Sequence, residues 1–98
     1  MLPKIQIDKE RLKQFCLRHH IRRLALFGSV LRDDFSPASD VDVLVEFEDG
    51  RVPGFAFFTM QAELSDLLGR PVDLHTPQFL SRYFRDQVMR ESQIQYAA

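Results

Sequence analysis

Three aspartates stand among apolar residues of the kind that form β-strands. Asp40 and Asp42 are separated by one valine, and Asp73 lies between Val72 and Leu74. Residues two apart in a strand project from the same face of a sheet, so one cation can reach both carboxylates of the first pair. Aspartate is disfavoured inside strands. Three of them in two predicted strands indicate a site for a hard divalent cation, with Asp73 approaching from a neighbouring strand.

The charges of the chain are unevenly distributed about a net charge of −1. Residues 1–32 carry eight basic and two acidic side chains, whereas residues 33–49 carry seven acidic side chains and no basic one. Acidic runs are usually solvated, but valine, leucine and phenylalanine are interleaved with these carboxylates. Carboxylates held together in a packed element need a counter-charge, which a divalent cation supplies. The small net charge argues against wholesale binding of nucleic acid.

A Gly-Ser pair, Gly28 and Ser29, directly follows an apolar run that predicts a buried strand. Glycine lets a phosphate approach the backbone, and the N–H groups of a helix start can donate to phosphate oxygens together with the serine hydroxyl. Taken alone, the pair predicts only a turn. Followed ten residues later by Asp40-Val41-Asp42, it becomes a specific pattern for phosphate and metal chemistry.

Apolar spacing predicts seven elements that must position these side chains, in the order helix, strand, short helix, strand, helix, strand, helix. Their predicted bounds are 8–19, 21–27, 29–32, 40–47, 55–68, 71–75 and 77 to about 94. Residues 35–39 are predicted as a loop. The order implies an α+β fold, a small three-stranded mixed sheet with helices packed mainly on one face.

The last predicted helix rests on a capping signal and an apolar stripe. Thr76 precedes Pro77, which suits an N-cap followed by proline at the first helical position. Three apolar residues then recur at helical spacing and are expected to form its buried stripe: Leu80, Phe84 and Val88.

Size and composition limit the classes of function further. Ninety-eight residues with 45% hydrophobic and 28% charged side chains predict a single globular domain over 1–98. No apolar run approaches the roughly 18–20 residues of a membrane span. Cys16 is the only cysteine. This count excludes an intrachain disulfide and a four-cysteine zinc site, and the expected location is therefore a reducing cytoplasm. So small a domain is also expected to have no room for a closed pocket of about 300–1,000 Å³.

The sequence from about residue 20 to 96 resembles the DNA polymerase β-like nucleotidyltransferase superfamily. The resemblance rests on Gly28-Ser29, a ten-residue spacer and Asp40-Val41-Asp42, the signature of that superfamily. Four further residues are similar to its minimal branch, the MNT-domain antitoxins encoded beside HEPN-domain ribonuclease toxins: Arg32, Ser39, Leu44 and Val45.

This resemblance implies a polymerase β-like fold and an enzyme that transfers AMP from ATP to a tyrosine hydroxyl of the toxin and so silences it. Carried over by position, Asp40, Asp42 and Asp73 would be catalytic carboxylates and ligands of two Mg²⁺ ions, with Mn²⁺ as the alternative. The residues that hold the triphosphate would be Gly28, Ser29 and Arg32. The partner would be the HEPN toxin in a hetero-oligomeric complex.

The residues favour the same chemistry on physical grounds. Nucleotidyl transfer needs in-line attack on the α-phosphorus, with one cation lowering the pKa of the nucleophile and another stabilising the leaving pyrophosphate. Three aspartates without a cysteine or histidine cluster favour Mg²⁺ or Mn²⁺ over zinc. Asp73 is predicted to act also as the general base, because it faces the aspartate pair from another strand.

Two functions from different classes stay open on the sequence: an active nucleotidyltransferase, and a catalytically silent antitoxin of the same fold that acts by binding alone. An RNA-directed enzyme is disfavoured, because 98 residues leave no room for an RNA-binding domain. The roles of His75 and of the aromatic residues at 55, 57 and 58 are also left open. His19 and His20 are predicted to pack or to end a helix rather than to bind a metal. Partner contacts are expected from exposed aromatic residues and from a basic stretch: Arg18, Arg22 and Arg23.

Overall fold

A computed structural model describes residues 5, 7–32, 39–51 and 53–98 of the chain. These residues form three helices, four strands and two short 3-10 turns. The helices are α1 (Lys9–Arg18), α2 (Ala56–Leu68) and α3 (Arg82–Glu91). The strands are β1 (Ile21–Phe27), β2 (Val41–Phe47), β3 (Val72–His75) and β4 (Gln93–Ala97). The predicted loop over 35–39 lies outside the described residues except for Ser39.

The four strands form one mixed sheet in the order β3-β2-β1-β4. β2 and β3 are parallel, whereas β1 pairs antiparallel with both β2 and β4. Parallel neighbours need a long crossover, and α2 supplies it between β2 and β3. The predicted α+β fold with a mixed sheet is confirmed, but the predicted number of three strands is wrong.

The first helix begins where the sequence predicts. The carboxylate of Asp8 accepts hydrogen bonds from the backbone N–H groups of Glu10 and Arg11 at 3.1 and 3.2 Å. These bonds satisfy two amides that have no partner inside the helix. Phe15 and Cys16 of this helix are fully buried, and burial raises the pKa of the Cys16 thiol to about 12. Cys16 is therefore a core residue, as expected.

The apolar core lies between one face of the sheet and helices α1 and α2. Alternate strand residues such as Leu26 and Val43 face this core together with Phe15 and Leu64 from the two helices. Because side chains alternate along a strand, residues at the intervening positions project from the opposite face. Asp42 and Asp73 lie at such intervening positions, so the helices position the chemistry by covering the other side.

The last helix differs from the prediction in its start and in its packing. Pro77–Phe79 form a separate 3-10 turn, and Leu80 is extended, so α3 begins only at Arg82 with Ser81 as its N-cap. The Arg85 guanidinium helps to hold this break, because its Nε donates to the Pro77 carbonyl at 2.8 Å. No residue of α3 is buried and Phe84 is 61% exposed, so the expected buried stripe is wrong.

The C-terminal residues form a strand rather than the end of a helix. After Ser92, whose backbone is extended, Gln93–Ala97 pair with β1 as β4. Gln93 to Tyr96 alternate between polar and apolar residues, which is a strand pattern that the helical prediction did not use. Ile94 lies in β4 and is 56% exposed.

No helix in the described part of the chain is long and apolar enough to cross a membrane.

The contrast between a core residue and an exposed residue of the same sheet gives a test of this fold. We expect Leu26→Ala, at a fully buried position of β1, to lower the free energy of unfolding by about 2–5 kcal/mol, because it leaves a cavity. The matched change Ile94→Ala in β4 should alter it by no more than about 0.5 kcal/mol. Urea denaturation of both variants measures the difference. A large loss from Ile94→Ala would instead indicate that Ile94 is buried.

Candidate active site

The parallel pairing of β2 with β3 places two predicted site residues side by side. Asp42 and Asp73 are register partners, and the core residues that flank them point to the opposite side of the sheet. The two carboxylates therefore share the face that the helices do not cover. Asp73 is the more accessible, with a side chain that is 56% exposed against 30% for Asp42.

His75 lies between these carboxylates. It is the register partner of Leu44 and follows Asp73 by two residues, so it projects from the same face. Its Nε2 lies 3.6 Å from Asp42 Oδ1 and 3.4 Å from Asp73 Oδ2, and this buried nitrogen has no hydrogen-bond partner within the described residues. One ligand atom from each of the three side chains falls within 4.8 Å of the others. The structure therefore places His75, whose role the sequence left open, within this cluster.

The charge of His75 responds to its neighbours. The Asp42 carboxylate raises the pKa of His75 above its ordinary value, burial opposes this, and the Asp73 carboxylate adds to it. The Phe27 ring contacts the imidazole edge-on at a centroid distance of 5.3 Å, which limits how the ring can turn. When His75 is protonated, the imidazolium in this position would screen the repulsion between the two carboxylates.

Gly28 lies against Asp42 because β1 ends beside the start of β2. Phe27 is the register partner of Asp42, and Gly28 follows it with a φ of +77°, in the left-handed region. A Cβ atom at residue 28 would overlap Oδ2 of Asp42. Glycine is therefore required here for two reasons, the backbone conformation and the close approach of the carboxylate.

The predicted phosphate-binding residues lie on a single turn. Gly28–Leu31 form a 3-10 turn, in which the Ser29 carbonyl accepts a hydrogen bond from the Arg32 backbone N–H at 2.9 Å. Ser29 is half-buried and Arg32 is exposed. This turn follows directly on the strand that carries Gly28 to Asp42, so a ligand on the turn would lie next to the carboxylate.

Asp40 stands at the edge of this arrangement. It is exposed and directly precedes β2, whose pairing with the β3 segment begins where the Val41 N–H donates to the Pro71 carbonyl at 2.9 Å. The close group of ligand atoms contains Asp42, Asp73 and His75 but not Asp40. The structure thus brings together two of the three predicted aspartates and adds a histidine, while the role of Asp40 stays a prediction.

The other two histidines lie beside glutamates of the chain, His19 beside Glu63 and His20 beside Glu48. His19 caps α1, packs on Phe15 at a ring-centroid distance of 4.7 Å and lies 3.1 Å from a carboxylate oxygen of Glu63. His20 occupies the turn into β1 with a φ of 57°. Neither histidine belongs to a cluster of metal-binding side chains in the described part of the chain.

The basic stretch that was expected to bind a partner is largely paired within the chain. Arg18 pairs with Glu63, while Arg22 and Arg23 both pair with Glu46 at 3.4 and 3.2 Å. Phe55 and Phe58 are exposed, and their expected contact with a partner stays a prediction.

A groove of about 790 Å³ opens beyond the last residue of β3. Its walls are formed by the end of β2 and the residues that follow this strand, by the start of α2, and by the first residues after β3. The residues that define it include Val45, Phe47, Glu48, Phe57, Phe58 and Thr76. The groove arises because β3 stops three residues before β2 does and leaves space beside it, and since it is open, the expected absence of a closed pocket stays a prediction.

These arrangements match a known family. A profile of the nucleotidyltransferase domain matches residues 9–95, which include every element that forms the site. The chain belongs to this family. The resemblance inferred from Gly28-Ser29 and the paired aspartates is confirmed.

This nucleotidyltransferase is similar to protein adenylyltransferases over most of its length. It is 30% identical over 84 residues to MJ0435 of Methanocaldococcus jannaschii, a candidate protein adenylyltransferase, which corresponds to 86% of this chain and 89% of that protein. It is 35% identical over 80 residues to the protein adenylyltransferase MntA of Thermococcus cleftensis, with 81% and 79% of the two chains covered.

Solved structures share the fold of this nucleotidyltransferase. A candidate minimal nucleotidyltransferase superimposes with a TM-score of 0.71 at 37% identity and covers 86% of this chain and 85% of its own. A toxin–antitoxin structure with AMP-PNP gives a TM-score of 0.74 at 19% identity, covering 94% and 75% of the two chains. A tri-AMPylated Shewanella oneidensis HEPN toxin in complex with an MNT antitoxin gives 0.65 at 20%, covering 92% and 70%. At these low identities, the last two show the fold alone.

Two glycines with almost the same backbone conformation allow the contact with Asp42 to be tested. Gly28 and Gly50 have φ angles of +77° and +74°, but a Cβ at residue 50 meets no described atom within 4 Å. We expect Gly50→Ala to cost about 1–2 kcal/mol of unfolding free energy, for the backbone strain alone. Gly28→Ala should cost more, because the methyl group must also displace Asp42. Equal losses on urea denaturation would show that the Asp42 carboxylate does not depend on Gly28.

Proposed function

We propose that this nucleotidyltransferase transfers AMP from ATP to a tyrosine hydroxyl of a HEPN-type ribonuclease toxin and thereby acts as its antitoxin. The observation that carries the proposal is the Asp42–Asp73 pair, held on adjacent strands directly beside the turn at Gly28. Its similarity to the protein adenylyltransferase MntA, and the tri-AMPylated toxin in the complex that shares its fold, support the same reaction and the same class of partner.

The reaction requires a nucleophile, a leaving group and a place for one proton. The tyrosine oxygen attacks the α-phosphorus of ATP, a new P–O bond forms, and the bond from the α-phosphorus to the oxygen of the β-phosphate breaks, releasing pyrophosphate. The tyrosine proton goes to the carboxylate of Asp73. Asp73 suits this role because it is the more exposed of the pair and lies on the outer strand of the sheet, where an incoming hydroxyl can reach it.

The donor set of the cluster fits a hard divalent cation. Asp42 and Asp73 offer carboxylate oxygens close to the unpartnered Nε2 of His75, and Asp40, which directly precedes β2 but lies outside this close group, would add another oxygen. Carboxylates with water and phosphate oxygens are the ligands that Mg²⁺ prefers, and imidazole is accepted more readily by transition metals. From the carboxylates we infer Mg²⁺, as two ions, with Mn²⁺ as the alternative; a coordinating His75 imidazole would instead favour a transition metal. When bound, the cations would lower the pKa of the nucleophile and offset charge on the leaving pyrophosphate.

The triphosphate would lie on the turn that follows β1. Gly28 permits close approach of the backbone, the Ser29 hydroxyl can donate to a phosphate oxygen, and the Arg32 guanidinium lies at the exposed end of the same turn. The AMP-PNP in a toxin–antitoxin structure of this fold supports ATP as the nucleotide.

A second candidate function is neutralisation of the toxin by binding alone. The exposed aromatic residues favour a large partner surface in either case: Phe55, Phe58, Tyr83 and Phe84. The paired carboxylates distinguish the two functions, because a pure binding protein gains nothing from like charges held together.

Mass spectrometry of the partner decides between these functions. We expect co-expression of this chain with a HEPN partner to yield a stable complex with AMP on a partner tyrosine. The double variant Asp42→Asn, Asp73→Asn should keep the complex and abolish the modification, whereas Asp66→Asn, at an exposed carboxylate of α2, should leave the modification unchanged. An unmodified partner in a tight complex would favour binding alone, and the absence of any complex would contradict both functions.

Cation binding gives a prediction that is independent of any partner. Mg²⁺ with ATP should raise the melting temperature, since a ligand bound to the native state at 100 times its Kd adds about 2.7 kcal/mol. Asp42→Asn should remove this effect while leaving the metal-free protein at least as stable as the parent, because it removes one of two adjacent like charges. Thermal melts with and without Mg²⁺ and ATP measure both effects. A clear loss of metal-free stability would make Asp42 a structural residue.

A further inference from the structure

The groove and the phosphate-binding turn lie on opposite sides of the carboxylate pair along β2. Gly28 lies beyond Phe27, the register partner of Asp42, and so faces the beginning of β2. The groove begins at Val45 and Thr76, directly after the last β2–β3 register pair, Leu44 and His75. At about 3.3 Å per residue, the groove begins roughly 10 Å from the carboxylates, on the side away from the turn.

This arrangement matches the two ends of an in-line displacement. The attacking and the leaving oxygen approach and depart along nearly one line through the phosphorus. If pyrophosphate departs toward the turn at Gly28 and Ser29, the nucleophile must come from the opposite direction. The opposite direction is the one in which the groove lies.

The charge of the groove suits a cationic occupant and repels a triphosphate. Three carboxylates line it, those of Glu46, Glu48 and Asp49, against the single guanidinium of Arg22. Glu46 is already paired with Arg22 and with Arg23. Glu48 and Asp49 are exposed, and although His20 Nδ1 lies 3.8 Å from Glu48, the two carboxylates give the groove its excess of acidic side chains.

The walls of the groove suit an apolar or aromatic side chain. Phe57 and Phe58 at the start of α2 are in edge-to-face contact at a centroid distance of 6.4 Å, and both line the groove together with Phe47. Phe58 is 70% exposed, so it presents a large apolar surface to solvent. Exposed aromatic side chains at the rim of a concave surface are typical anchors for a protein partner.

We propose that this groove binds the chain of the acceptor protein beside its target tyrosine, and that it selects a segment carrying arginine or lysine and an apolar side chain. The inference rests on the proposed transfer of AMP to a protein tyrosine and names the surface that recognises the acceptor. Since an extended chain spans about 3.3 Å per residue, the selected side chains lie about three residues from the tyrosine. Glu48 and Asp49 bind the cationic side chain, and Phe58 contacts the apolar one.

Two fluorescent peptides of equal length test this proposal. Each contains one tyrosine; the first carries two arginines and a leucine at the second to fourth residues from it, and the second has glutamates in place of the arginines. Transfer from α-labelled ATP gives KM for each peptide and for ATP, and fluorescence polarisation without ATP gives peptide binding alone. We expect the arginine peptide to have a KM at least tenfold lower than that of the glutamate peptide.

Charge reversal in the groove should reverse this preference. The double variant Glu48→Lys, Asp49→Lys should raise KM for the arginine peptide at least tenfold, favour the glutamate peptide and leave KM for ATP unchanged. Phe58→Ala should raise KM for both peptides, because it removes the contact with their leucine. The matched control Asp66→Lys, which reverses an exposed carboxylate of α2 outside the groove, should alter none of these values.

The possible outcomes separate this inference from the function on which it rests. Binding of the arginine peptide without AMP transfer would support the groove and contradict the proposed activity. Transfer without preference between the peptides, or a preference that survives charge reversal, would overturn the groove and leave the activity standing. A raised KM for ATP in the double variant would assign the groove to the nucleotide, and the absence of both binding and transfer would overturn both proposals.

Discussion

The parallel register of β2 against β3 is the constraint on which the site depends. It places Asp42 directly beside Asp73, and a slip of one residue in either strand would turn its carboxylate into the apolar core. The burial of Val41, Val43 and Leu74 on the helix-covered face opposes such a slip, since each would have to become exposed. The two like charges are therefore held together by the apolar residues on the other side of the sheet.

The remaining features of the site adapt to that pair of carboxylates. β1 is followed by a glycine because a side chain at residue 28 would occupy the space of the Asp42 oxygen. His75 lies within 4 Å of both carboxylates, which raise its pKa above the ordinary value. Sites that carry concentrated charge are usually less stable than the surrounding fold. Here the residues that accommodate the pair come from the ends of two strands, since Gly28 follows β1 and His75 is the last residue of β3.

Most of the candidate site could be predicted from the sequence, because strands with one buried face show a clear alternation of apolar and polar residues. The bounds of β1 match their prediction, and those of β2 and β3 differ by one residue at the start. α2 ends at Leu68 as predicted, where Gly69 adopts the left-handed conformation. The face shared by Asp42 and Asp73 could be predicted for the same reason. His75 could be placed on that face, but its contact with Asp42 depends on pairing between strands whose register partners are 31 residues apart, which local spacing does not contain.

The C-terminal part of the chain could not be predicted in the same way. Phe84 and Val88 have helical spacing, which normally indicates burial, yet α3 buries none of its residues. Gln93 to Tyr96 became a strand because β1 offers an unpaired edge in the folded protein, and that edge exists only once β1 and β2 have paired. The groove likewise arises from the difference in length between two neighbouring strands, which is a property of the assembled sheet.

The same difference in strand length affects how this protein meets other copies of itself. The two inner strands have seven residues each, whereas the outer strands β3 and β4 have four and five. A short outer strand offers few backbone groups to a strand of another molecule, and proteins commonly limit aggregation in this way. The sheet thus keeps its long strands inside, so that the charged face remains open to a partner while its edges resist pairing with further sheets.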